Sequence, residues 1–116
     1  MFNVTKVYTD ENGDSRFGEV EISLNDSGDI GFLSDLIPVE GIVFREVLPA
    51  YDFDFHNAPH RQYIILLDGK IEIETSLGEK RTFCAGEILL MEDTHGKGHK
   101  TRNLIEQKRM SIFIRL

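Results

Sequence analysis

The stretch His56-Asn57-Ala58-Pro59-His60-Arg61-Gln62-Tyr63, running on to Gly69, decides how this chain is read. A second stretch, Gly86-Glu87-Ile88-Leu89-Leu90, runs on to His99 and Asn103. Each sits where an apolar run meets a turn-rich segment. His56, His60 and His99 are three of the chain's 4 histidines, and imidazole is the commonest metal ligand and a proton-transfer group near neutral pH. Residues 56, 58, 60 and 62 share parity, so an unbroken strand turns them all to one face. His56, His60 and Gln62 then converge with His99 arriving from a neighbouring strand. Two or three imidazoles and one amide oxygen can hold a divalent transition metal. Pro59 interrupts this parity, because proline cannot donate to a strand ladder and marks edges or bulges.

Around these stretches helical periodicity is almost absent. Short runs rich in Val, Ile, Phe and Tyr are punctuated by Gly, Asn, Asp and Pro, the pattern of strands joined by turns. Asn12-Gly13 predicts a tight hairpin, and residues 25–29 predict a second turn. Between them, Val20, Ile22 and Leu24 alternate with Glu19, Glu21 and Ser23 in a half-buried strand spanning Phe17 to Leu24. Gly41 to Leu48 reads as a strand. Tyr63 to Leu67 is continuously apolar and predicts burial on both faces. Ile71 and Ile73 point inward against Glu72 and Glu74, and Lys80 to Cys84 and Ile88 to Met91 follow as further strands. In the last, Arg109 to Leu116, Met110, Ile112, Ile114 and Leu116 alternate with Arg109, Ser111, Phe113 and Arg115. Leu33 to Leu36 reads as a helical turn. Many short strands at regular spacing imply a sandwich or barrel.

The 116 residues suit one domain with a real core. A net charge of −7 argues against a dedicated nucleic-acid binder, which needs a basic stripe to neutralise phosphates. The basic cluster Lys97, Lys100 and Arg102 lies beside Glu92 and Asp93 and reads as a solvated loop. The lone Cys84 cannot form an internal disulfide, which suits a reducing cytoplasm, and Phe83 and Ala85 beside it suggest a packed thiol. The N-terminus lacks the basic start and apolar run of a signal peptide, and no apolar stretch is long enough to span a bilayer.

In order and spacing the two stretches resemble the paired motifs of the cupin superfamily. The first family motif runs G-x5-H-x-H-x3 or 4-E-x6-G, and the second G-x5-P-x-G-x2-H-x3-N. Here His56 matches the first histidine, Gln62 falls on the glutamate, and Gly69 closes the first motif. Gly86 opens the second, which Gly96, His99 and Asn103 close. The departures are Ala58 at the second histidine, Gln62 for the carboxylate, Tyr51 for the opening glycine, Glu92 for the proline, and two extra residues in the second motif. The resemblance implies an all-β cupin-type double-stranded β-helix, a jelly-roll barrel. It implies a single domain over 1–116, with N-terminal strands and a hairpin in 1–40 and the barrel core with both motifs in 41–116. It also implies a homodimer, and a divalent transition metal (Fe, Ni, Mn or Zn) on His56, His60, Gln62 and His99, with His60 standing in for the imidazole lost at Ala58. Amide for carboxylate leaves such an ion more positive, which favours an anionic substrate.

Three functional readings follow. In the first, a metal-dependent enzyme acts on a small anionic metabolite, by oxygenase, isomerase or lyase chemistry. In the second, a metal-free isomerase or epimerase uses His56 or His99 as base and Tyr51 or Tyr63 as acid. In the third, the chain is a non-catalytic module that binds or senses a small molecule. Asp52 and Asp54 share parity with His56 and could orient it, although an acidic outer surface is the plainer reading. Arg45 and Arg61 could hold a substrate carboxylate. His95 reads as an exposed loop residue.

Overall fold

The computed structural model describes residues 2–116. The elements are β1 (Phe2–Thr9), β2 (Ser15–Ile22), β3 (Asn25–Asp26), a 3-10 turn (Gly28–Ile30), β4 (Phe32–Leu33), β5 (Gly41–Val47), β6 (Asp52–His56), β7 (Gln62–Leu66), β8 (Lys70–Thr75), β9 (Lys80–Cys84), β10 (Ile88–Met91), β11 (His99–Asn103) and β12 (Arg109–Arg115). No helix among the described residues is long and apolar enough to cross a membrane.

Local chemistry sets the first hairpin. Asp10 Oδ1 accepts from the backbone N–H of Asn12 and Asp14, at 2.9 and 3.0 Å, and Gly13 supplies a φ of +83°. The side chain thus mimics a backbone turn, and β1 and β2 pair antiparallel over their full length.

Two sheets face one another. The larger has the order β2-β1-β10-β7-β12-β5, and the smaller β6-β11-β8-β9. From β5 to β12 the strands pair as two interlocked Greek keys, with β5, β7, β10 and β12 in one sheet and β6, β8, β9 and β11 in the other. That is a jelly roll. The hairpin extends the larger sheet, because β1 pairs parallel with β10. Its end is stitched to the smaller sheet by the Ser15 hydroxyl, which accepts from the Ser76 N–H at 2.8 Å and donates to the Gly98 carbonyl at 2.7 Å. Residues 23–40 carry the chain from the β2 edge to the β5 edge of the larger sheet.

The core fills the space between the sheets, with Val7, Leu66 and Met91 from the larger and Ile71, Ile73 and Phe83 from the smaller. Ile71 and Ile73 point inward as the alternation predicts. Three expectations are corrected. In β7, Gln62 and Leu66 are buried, but Tyr63 and Ile65 are only half-buried and Leu67 is exposed. The outer face of the larger sheet is itself apolar, so an unbroken apolar run arises without a covering layer there. Leu33 to Leu36 form no helical turn; the single turn of 3-10 helix lies earlier, and Phe32–Leu33 pair with Asn25–Asp26. Cys84 is exposed, because β9 turns its neighbour Phe83 inward.

Candidate functional site

A cavity of about 400 Å³ lies between the sheets. Its histidine end is built by an irregularity in β6. His56 pairs with His99 and Phe53 with Thr101, so Asp54 and Phe55 on β6 oppose Lys100 alone on β11. This bulge brings Phe53 and His56 to the same inner face, and both line the cavity. Asp52 and Asp54 stay exposed, so strict parity fails here and the acidic-surface reading holds.

His56 Nδ1 lies 2.8 Å from the Asp54 carbonyl. A carbonyl only accepts, so Nδ1 carries the proton and Nε2 has a free lone pair. His99 Nδ1 lies 2.5 Å from Asp93 Oδ2, which fixes the same tautomer. The imidazole centroids are 4.5 Å apart, and the Phe53 ring packs against His56 at 4.0 Å. Burial, with a smaller push from His99, holds the His56 pKa below its ordinary value. Gln62, 3% exposed, lines the same cavity from β7.

Gly98 makes the close approach of β11 to β6 possible. Its φ is +74°, and a Cβ there would collide with the His56 carbonyl. The loop after β6 is stitched to the loop before β11. Ala58 N–H donates to the Asp93 carbonyl at 3.1 Å, and the Asn57 amide donates to the Asp93 and Gly96 carbonyls at 3.3 and 3.1 Å. This turns Ala58 and Pro59 into the cavity wall and leaves His60 exposed. His60 therefore does not join His56, Gln62 and His99; the break at Pro59 reverses the face that parity assigns to it. His95 is exposed, with its carbonyl accepting from Thr9 Oγ1 at 2.8 Å.

Of the two tyrosines, Tyr51 lines the cavity. Tyr63 does not, because it follows the inward Gln62 on β7. Arg45 lines the cavity, whereas Arg61 is exposed and pairs with Glu92 at 2.7 Å. The basic cluster is locally paired, Lys97 with Asp14, Lys100 with Asp54 and Arg102 with Glu72.

Sequence reasoning misses two residues. Asp93, fully buried, reads in the sequence only as a neighbour of the basic cluster. Arg109, 2% exposed, lies hidden in an ordinary strand alternation. Asn103, the motif's closing residue, explains its placement. Its Nδ2 donates to the Leu48 and Pro49 carbonyls, both at 3.2 Å, so its Oδ1 is free to accept from Arg109 Nε at 2.9 Å.

Among the described residues no group of three or more His, Cys, Asp and Glu side chains is placed to hold a metal ion. The donor set facing the cavity is two imidazoles and an amide, which is chemically compatible with a divalent transition metal.

No family model and no curated protein matches the sequence. Solved structures share its architecture. Protein NMB1881 from Neisseria meningitidis is 20% identical over 69% of this chain and 78% of its own, with a TM-score of 0.51. CENP-C of Drosophila melanogaster, solved bound to CAL1, is 15% identical over 82% of this chain and 75% of its own, also at 0.51. A Salmonella typhimurium structure described as a putative ethanolamine utilization protein Q spans 99% of this chain and 95% of its own, at 14% identity and a TM-score of 0.47. Likeness at these identities shows the fold alone, an all-β jelly roll, and the first two structures carry it.

Proposed function

We propose that this protein takes a small anionic molecule into the jelly-roll cavity beside a divalent transition metal held by His56, Gln62 and His99. One observation carries the reading: both cavity-lining imidazoles have Nδ1 committed to an acceptor and Nε2 free. A carboxylate or carbonyl behind a histidine is the arrangement that fixes tautomer and ring orientation for metal ligation. The bound ion would polarise a ligand oxygen or lower the pKa of a bound water. The chain's own residues supply the rest. Asp93 orients His99, Phe53 packs His56 in place, and Ile64, Ile73 and Leu89 give the cavity an apolar wall that restricts water.

The experiment is elemental analysis of protein purified without tag or chelator, wild type beside His99→Ala. Near-stoichiometric iron, nickel, manganese or zinc that is absent from the variant supports the site. No metal in wild type after reconstitution with each ion rejects it.

A second reading is favoured by the same pair. Asp93 and His99 form a base with its orienting carboxylate, and Tyr51 in the same cavity could act as the acid of a metal-free isomerase or epimerase. Turnover that survives chelation separates it from the first. Ligand binding without turnover identifies a non-catalytic module instead.

The partner reading is a homodimer. The surface that supports it is the outer face of β5 and β12, where Ile42, Phe44 and Met110 are exposed beside the unpaired edge of β5.

A further inference from the structure

The cavity has a second polar group besides the histidines, the arginines Arg45 and Arg109. Arg109, on β12, is 2% exposed. Its Nε donates to Asn103, yet its Nη2 is buried with no hydrogen-bond partner among the described residues. Its stem lies under Gly69, where a Cβ would come within 3.0 Å of the arginine Cγ and Cδ. Arg45 reaches the same space from β5, two residues from Val47, the register partner of Arg109. Both guanidiniums sit by the ring of Tyr51, at 5.0 and 5.6 Å from its centroid.

Among the described residues no Asp or Glu lines this cavity. Neither arginine has a carboxylate partner among the described residues, although eight other Lys or Arg ion pairs decorate the molecule. A buried guanidinium with an unmet N–H and no counter-ion is costly, and selection of such a group is easiest to understand if a ligand completes it. Burial, then the neighbouring Arg45, lowers the Arg109 pKa. Beside the arginines the wall is apolar, with Ile64, Leu66, Leu89 and Phe113.

We propose that Arg109 and Arg45 form a carboxylate-binding subsite, and that the ligand is a small monocarboxylate with an apolar body. The inference deepens the reading of the cavity as a ligand site and is independent of whether a metal is bound. Two guanidiniums suit the two oxygens of one carboxylate. The wall beside them, Ile64, Leu66, Leu89 and Phe113, offers no donor and suits an apolar body. Arg61, a candidate for this role from sequence, belongs to a surface ion pair; Arg109 takes its place.

The test is calorimetric titration with 4-phenylbutyrate, with its neutral amide 4-phenylbutanamide, and with phenyl phosphate, in chelator and again after metal loading. The carboxylate is expected to bind more tightly than the amide by at least about tenfold, as a charge-assisted pair requires. Arg109→Met abolishes that preference and Arg109→Lys restores part of it. Arg45→Met, at a less buried position, reduces it independently, so a folding defect in the Arg109 variant does not remove the test. Equal binding of carboxylate and amide, no binding of either, a preference that survives both methionine variants, or tighter binding of phenyl phosphate each overturns the proposal. A carboxylate preference that persists in chelator and in His99→Ala, in protein that never loads metal, refutes the metal reading and leaves this one standing.

Discussion

Asp93 stands directly behind His99, with its Oδ2 2.5 Å from Nδ1 and its Oδ1 buried without a hydrogen-bond partner. The carboxylate has no exposure to solvent. Its anchoring of the loop runs through its own carbonyl, which holds Ala58 and Asn57, so side-chain substitution leaves that anchor intact. Asp93→Asn keeps the shape but weakens the acceptor and allows the wrong imidazole tautomer. Metal affinity is expected to fall by about 10–100-fold, the usual effect of losing such a supporting group. Competition against a chelator of known affinity measures it. Unchanged affinity in a folded Asp93→Asn protein rules out the positioning role.

His56 makes stability pH-dependent. Burial holds its pKa below the ordinary imidazole value. As pH falls through about 6.5 the unfolded chain takes up a proton that the native protein resists. Unfolding therefore binds protons, and stability drops as pH falls, until native His56 is protonated too. Asp10 and Asp14, held below the usual carboxylate range by hydrogen bonds from Arg16 and Lys97, lose their contribution only in a more acidic window. Denaturant midpoints across about pH 5 to 8 should show the decline in wild type and a flatter profile in His56→Gln. An identical slope in the variant would assign the decline to other groups.

How much of this is legible in the sequence follows from what a two-residue period encodes. The alternation in β12 separates two faces but does not label the inner one. Arg109, Ser111 and Phe113 face inward while Met110 faces out, because the outer side of the larger sheet is apolar. Motif spacing finds His56 and His99, and the cavity holds both. Parity places Phe53 and His60 on the wrong faces, because the bulge in β6 shifts the phase by a residue and residues 57–61 belong to no strand, so alternation does not apply to His60. Asp93 meets His99, and Arg109 meets Asn103, six residues away across a loop, a separation that follows no strand or helix period, so no local pattern marks them.

Gly98 is the backbone position on which the histidine pair depends. Gly78, in the β8–β9 turn, has a similar φ of +85° with no atom within 4 Å of where a Cβ would sit, so Gly78→Ala tests the backbone penalty alone, about 1–2 kcal/mol. Gly98→Ala adds a collision with the His56 carbonyl and should cost clearly more. Thermal unfolding of the two variants side by side checks the difference. Equal costs would mean that β6 gives way easily and that the His56–His99 spacing is not enforced from this side.

Phe44 is 75% exposed and Ile42 55% exposed on a strand that pairs only with β12. A contiguous apolar face beside an open sheet edge is what a soluble monomer avoids. Two copies related by a two-fold axis can cover the same patch on each other. Phe44→Glu puts a charge at the centre of that contact without touching the cavity, since Phe44 lies outside its lining. Sedimentation should show a dimer in wild type and a monomer in the variant, while carboxylate binding by Arg109 persists. A wild-type protein that sediments as a monomer at all concentrations would dismiss the second copy as the partner of this face.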